Sequence, residues 1–174
     1  ASEANSEGAN SLLSETQKIF EDLGTAVDVG NNVVSIILNE YRQLADDAGI
    51  TFDYDVSIPH TLSITAVDLY VLLGNTLDNA IEACESLPEE QRYIHLQFRT
   101  FHEILFLQIK NPYSKDYPLR IRGKNHGYGL QNVRKCVKKH NGHISAEQEN
   151  GVFTLSLRLA DCVPATTNMR TLSQ

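Results

Sequence analysis

Asn75-Thr76-Leu77-Asp78-Asn79-Ala80-Ile81-Glu82 carries the most information of any segment in this chain. At 3.6 residues per helical turn it stacks two carboxamides, Asn75 and Asn79, one turn apart. Leu73, Leu77, Ala80, Ile81, Cys84 and Leu87 gather on one side of that helix and Asn75, Asn79, Glu82 and Ser86 on the other, while Asp78 is expected to point away into solvent. About fifty residues later His126-Gly127-Tyr128-Gly129-Leu130 opens another helix with two glycines, where free backbone N–H groups are able to meet an anion. Each segment also has an ordinary explanation, since polar residues belong on any wet helix face and a Gly-x-Gly often marks a simple helix start. Read together they fit a nucleotide site, because the loop before the glycines holds Lys115, Arg120, Arg122 and Lys124 against one acid, Asp116.

Outward from these segments, Thr65 with Asp68 three residues on predicts a capping box that starts the first helix, and Pro88 stops it near Leu87. Upstream, Asn31 or Asn32 caps a helix with the stripe Val33, Val34, Ile37, Leu38, Tyr41, Leu44, Ala45 and Ala48, closed by Gly49. Residues 51–57 alternate as a strand with Phe52, Tyr54 and Val56 on one face and Asp53 and Asp55 on the other. Residues 93–100 and 104–110 read as a hairpin with its tip at 101–103. Residues 112–126 are aperiodic and long for a connection, in the manner of a lid. A helix follows from Tyr128 to about His140 with Gly142 as its stop, then a second hairpin, 143–148 and 152–159, around Asn150-Gly151. Helices first and then strands mixed with a helix predict an α+β fold, an α/β sandwich whose mixed sheet is covered on one face by helices.

The 174 residues suffice for one domain, and 41% hydrophobic residues supply its core. We expect an N-terminal tail and helix stub over 1–30, with Leu12, Leu13, Ile19, Phe20 and Leu23 at helical spacing, a working domain over 31–159, and a C-terminal tail over 160–174. Fifteen basic against 22 acidic residues give a net charge of −7, which opposes a broad grip on nucleic acid. Cys84, Cys136 and Cys162 are odd in number and widely spaced, which predicts reduced thiols, a cytoplasmic location and no structural metal. No apolar run approaches the ~20 residues of a membrane span.

With the two segments in place, the chain resembles the GHKL superfamily of ATP-binding domains over residues 33–159. Asn75 to Glu82 resembles the N-box of that superfamily, and Gly127-Tyr128-Gly129-Leu130 its second glycine box. The resemblance is in particular to the cytoplasmic catalytic domains of sensor histidine kinases of the peptide-pheromone receptor and citrate-sensing type. It implies a Bergerat ATP-binding fold and a protein histidine kinase that binds ATP and Mg²⁺. Asn79 would ligate Mg²⁺, Asn75 would lie beside the phosphates, and Gly127, Tyr128, Gly129 and Leu130 would contact the nucleotide, with Lys124 and His126 closing over it. Glu82, a turn after Asn79, would orient water or hold the amide face in place. Where the superfamily carries an Asp-x-Gly box for the adenine amine, this chain has Lys110-Asn111-Pro112, and Asn111 offers an amide oxygen instead.

The phosphoryl acceptor of such kinases is a histidine on a dimerising helix upstream, and no histidine precedes Asn31 here. The resemblance therefore implies a fragment whose partners are a histidine-bearing dimerisation domain of the same protein and a response regulator, within a membrane-anchored, homodimeric parent. His102-Glu103 has the acceptor's dipeptide at a predicted hairpin tip, and His60, His95, His140 and His143 read as surface or strand positions without chemistry. A nucleotide-binding regulatory scaffold and an anti-sigma-factor type serine kinase of the same superfamily are the alternatives.

Overall fold

The computed structural model describes residues 26–114 and 128–164. The helix predicted at 12–23, most of the 112–126 loop including Lys124 and His126, Gly127, and the tail beyond 164 lie outside the described residues. In chain order the elements are α1 (Asn32–Asp47), β1 (Thr51–Ser57), α2 (Ala66–Glu85), a short 3₁₀ turn (Glu89–Gln91), β2 (Tyr93–Phe101), β3 (Ile104–Pro112), α3 (Gly129–Lys139), β4 (His143–Glu149) and β5 (Val152–Leu159).

Local chemistry explains most of the boundaries. Asn31 caps α1 by accepting from Val34 N–H at 3.1 Å. At the other end Gly49 takes φ +64°, its N–H reaching Asp46 O and that of Ile50 reaching Ala45 O, which satisfies carbonyls the helix leaves open. Helix α3 closes the same way, with Asn141 N–H on Lys138 O and Gly142 N–H on Val137 O. The left-handed residue there is Asn141, φ +49°, not the expected Gly142. Gly142 serves close approach instead, since a Cβ on it would lie 2.5 Å from the Arg158 carbonyl. Asn150 and Gly151 both take positive φ and link β4 to β5 by a two-residue turn, as their dipeptide predicts.

The sheet runs β1-β2-β3-β5-β4, with β1 parallel to β2 and the other pairs antiparallel. Parallel β1 and β2 require a crossover, and α2 supplies it. Alternation decides the faces: Ile94, Leu96 and Phe98 of β2, Leu105, Leu107 and Ile109 of β3, and Leu155, Leu157 and Leu159 of β5 are buried. They meet Leu69, Leu72, Leu73 and Leu77 of α2, Val34, Ile37 and Leu38 of α1, and Val133 and Val137 of α3 in one core, where each large side chain is worth about 1.5–3 kcal/mol. The opposite sheet face is a polar ladder, with His95 on Asp53 at 2.8 Å, Arg99 on Asp55, and Gln108 on Ser156 at 2.9 Å. The Arg99 guanidinium holds the Asp55 carboxyl below its usual range. The core also draws in Val27 and Cys162, so chain on both sides of 31–159 is packed.

Two expectations change. Strand β3 continues through Pro112, pairing Asn111 with Phe153, so the loop starts later than its proline suggested. Proline costs nothing at the last ladder position, where no further donor is required. The capping box at Thr65 is only half built: Thr65 Oγ1 accepts from Asp68 N–H at 3.1 Å, but the Asp68 carboxylate turns to α3.

Candidate functional site

Helices α2 and α3 lie side by side, antiparallel and in step. Gly129, the first residue of α3, faces Asn75, and a Cβ built on it would stand 3.1 Å from Asn75 Oδ1. Seven residues further along α3, Cys136 Sγ donates to the carbonyl of Asp68 at 3.8 Å, and Asp68 lies seven residues before Asn75 on α2. Equal spacing on the two chains makes the pair of helices one frame, about 10 Å long between its two fixed points.

Both carboxamides are oriented by their own helix. Asn75 Nδ2 donates to Val71 O at 2.8 Å and Asn79 Nδ2 to Asn75 O at 2.7 Å. Only the amide nitrogen has protons to give a carbonyl, so each Oδ1 is the branch turned away from the helix backbone. Asn75 and Asn79 are half-buried. The result is a pair of neutral oxygens one turn apart on a helix held rigid by core packing, with the N-terminus of α3 against the first.

The remaining predicted residues distribute as follows. Tyr128 is the N-cap of α3 and 65% exposed, and Leu130 packs against the core. Asn111 is 1% exposed on β3, its Nδ2 donating to Pro112 O at 2.9 Å. Glu82 is exposed, one turn beyond Asn79 on α2. Asp78, Ile81, Glu82 and Glu85 recur at i, i+3, i+4 and i+7 and form one ridge, which with Leu44, Asp47 and Ala48 of the α1 end lines an open acidic groove. Asp78 is exposed, as the sequence predicts, but it is not without a partner. It accepts from the Tyr41 hydroxyl at 2.8 Å, and Gly74 makes room, since a Cβ there would lie 3.2 Å from that hydroxyl. Burial, and then the hydrogen bond to Asp78, pushes the Tyr41 phenol well above its ordinary value.

The far end of the frame carries a clamp that the sequence does not announce. Asp68 Oδ2 accepts from Lys139 Nζ at 2.7 Å and contacts His140 Nε2 at 2.8 Å. Lys139 first, and His140 second, hold the Asp68 carboxyl down at about 2 against a burial penalty. His140 was expected to have no role, yet as the C-cap of α3 it locks that helix to the first turn of α2. The only sequence signal was the basic run Lys138-Lys139-His140 at a helix C-terminus, where positive charge suits the dipole. His102 lies in the exposed β2–β3 turn with φ +54°.

A family model described as GHKL domain matches residues 64–160, more than half of the chain. The chain belongs to the GHKL family. Sensor histidine kinase DcuS of Escherichia coli K12 is 25% identical to this GHKL chain over 146 residues, 78% of it and 24% of DcuS, and DcuS of Shigella flexneri matches equally. The GHKL chain thus spans about a quarter of the length of the curated relatives it matches. Among solved structures, the catalytic domain of histidine kinase ThkA superposes with TM-score 0.59 at 16% identity, covering 74% of this chain and 90% of that one. Histidine kinase AdeS of Acinetobacter baumannii does so with TM-score 0.56 at 14% identity, over 92% and 86%. Full-length ShkA in complex with AMPPNP gives TM-score 0.59 at 16% identity, over 80% and 31%. The mixed five-stranded sheet, with three helices among the described residues, is the α/β fold of histidine kinase catalytic domains. Among the described residues no helix is long and apolar enough to cross a membrane.

Proposed function

We propose that this chain is the ATP-binding catalytic domain of a two-component sensor histidine kinase, holding Mg-ATP and presenting its γ-phosphoryl to a histidine outside this chain. The observation that carries the reading is the stacking of the α3 N-terminus on Asn75, with the Asn79 oxygen one turn further along the same helix. The donor set fits the ion: a single neutral oxygen on a rigid helix adds no negative charge beside a triphosphate, and Mg²⁺ prefers hard oxygen ligands with several waters retained. Bound there, Mg²⁺ would neutralise charge building on the phosphates.

In this reading Asn79 Oδ1 would hold the Mg²⁺ and Asn75 would lie beside the phosphates. The N–H groups of Gly127, Gly129 and Leu130 meet phosphate oxygens, Tyr128 flanks them, and Lys124 and His126 close from the loop. Asn111 offers its amide to the adenine amine. Glu82, a turn after Asn79, would orient water or hold the amide face in place. Phosphoryl transfer asks the protein mainly for position and charge, so no nucleophile from this domain is required: a P–N bond forms to the acceptor histidine as the P–O bond to ADP breaks. The dimerisation domain of the same protein would supply that histidine and a response regulator would receive the phosphoryl, the parent being membrane-anchored and homodimeric with this domain in the cytoplasm.

Titration with a fluorescent ATP analogue, with and without Mg²⁺, tests the reading. Binding at roughly micromolar concentration that weakens tenfold or more with EDTA is expected. No binding at roughly millimolar analogue would overturn it in favour of a regulatory scaffold. An acid-stable phosphoryl linkage on a partner protein would instead indicate a serine kinase.

A further inference from the structure

The far end of the α2–α3 frame gathers a thiol, an imidazole and a carboxylate: Cys136 Sγ, His140 and Asp68 present ligand atoms that all lie within 4.8 Å of one another. We propose that these three side chains form a binding site for a thiophilic divalent cation of the zinc class, distinct from the hard-oxygen site at Asn79.

Four features support it. First, Cys136 and His140 stand at i and i+4 on α3, one above the other on a single face, which fixes two ligands before any ion arrives. Second, the third ligand comes from the capped first turn of α2, and both helices are anchored in the core. Third, the site is sheltered: Cys136 and Asp68 are buried, and the His140 side chain is 13% exposed. Fourth, mixed sulfur, nitrogen and oxygen donors select Zn²⁺ or Co²⁺ over Mg²⁺, and three protein ligands leave a fourth position for water.

Two of the three ligand atoms already lie near the separation an ion requires, and the Cys136 sulfur, within 4.8 Å of both, closes in on them. A tetrahedral ion about 2.0 Å from a nitrogen and an oxygen sets them about 3.3 Å apart, so the 2.8 Å contact between Asp68 and His140 opens by about half an ångström. Lys139 now supplies the positive charge beside Asp68 Oδ2, and at 61% exposure it is free to swing out as the ion replaces that charge. The Cys136 thiol is pushed up to about 11 by burial, so metal binding releases its proton to the buffer, and occupancy rises with pH. An occupied site ties the N-terminus of α2 to the C-terminus of α3 and stiffens the frame whose other end holds Asn75 against Gly129.

Cobalt titration of chelator-treated protein in a non-thiol reductant tests the proposal. One equivalent of Co²⁺ should produce visible d–d bands of tetrahedral intensity and a near-ultraviolet thiolate-to-cobalt band, both displaced by Zn²⁺ and untouched by excess Mg²⁺. Cys136→Ser should remove the near-ultraviolet band and His140→Ala should weaken binding at least tenfold, whereas Cys84→Ser, at the opposite end of α2, should leave both signals intact. Zinc a hundredfold above its dissociation constant should raise Tm by about 5–10 °C in the parent and not in His140→Ala, a readout independent of nucleotide binding. Absence of a thiolate band in the parent, or its survival in folded Cys136→Ser, overturns the site. Should Cys136→Ser fail to fold, an unaltered cobalt spectrum in His140→Ala does the same.

Discussion

Gly129 lets the backbone of α3 approach the Asn75 carboxamide closely: a Cβ at Gly129 would sit 3.1 Å from Asn75 Oδ1, tight enough that one of the two would have to give. That single approach joins the two segments that stood out in the sequence, and it is where the phosphates are proposed to lie.

Replacing Gly129 by Ala therefore forces either Asn75 or the start of α3 to move by a few tenths of an ångström. We expect Gly129→Ala to weaken Mg-nucleotide binding about five- to tenfold while Tm changes by no more than about 4 °C, as calorimetry and thermal melting will read. Unchanged affinity would show the approach to be packing alone.

Tyr41 and Asp78 join α1 to α2 across 37 residues of sequence. Tyr41→Phe leaves the ring in its buried place and removes the hydroxyl, so a loss of about 1 kcal/mol is expected in denaturant unfolding. Tyr41→Phe combined with Asp78→Ala should cost little more than either change alone. Additive losses would mean that the hydrogen bond contributes nothing.

Acid should undo the Asp68 clamp. Its carboxyl titrates at about 2 in the folded chain against 3.8 ordinarily, so the folded state favours the ionised form. The stabilisation is present in full above 3.8 and is lost as pH falls from there through about 2. Because Lys139 is largely exposed, about 1–2 kcal/mol is expected from the clamp near neutral pH. Asp68→Asn should show that deficit in urea unfolding at neutral pH, and the gap to the parent should narrow on acidification. A gap independent of pH would assign the loss to packing.

Much of this architecture was legible because it is local. Asn31, Gly49, Thr65, Pro88 and Asn150-Gly151 each fix a boundary through their own backbone or nearest neighbours, and β2 and β3 advertise their faces by strict alternation. What escaped was set by partners distant in sequence. A helical projection puts Asp78 in water, and only the docking of α1 brings Tyr41 to it. His140 looks like an ordinary C-terminal residue until α2 places Asp68 beside it, 72 positions away. Gly142 sits at the helix stop for close approach and not for positive φ, two uses of glycine that sequence does not distinguish. At the candidate site the amide pair was readable from helical periodicity, whereas the burial of Asn111 depended on β3 extending to pair with β5.

Calorimetric titration of an ATP analogue into the parent and into Asn79→Ala, each with Mg²⁺ and with EDTA, tests the central claim most directly. A ligating Asn79 predicts that the variant loses roughly tenfold or more in affinity with Mg²⁺ and binds like the parent in EDTA. Superimposable Mg²⁺ isotherms for the two proteins would contradict it.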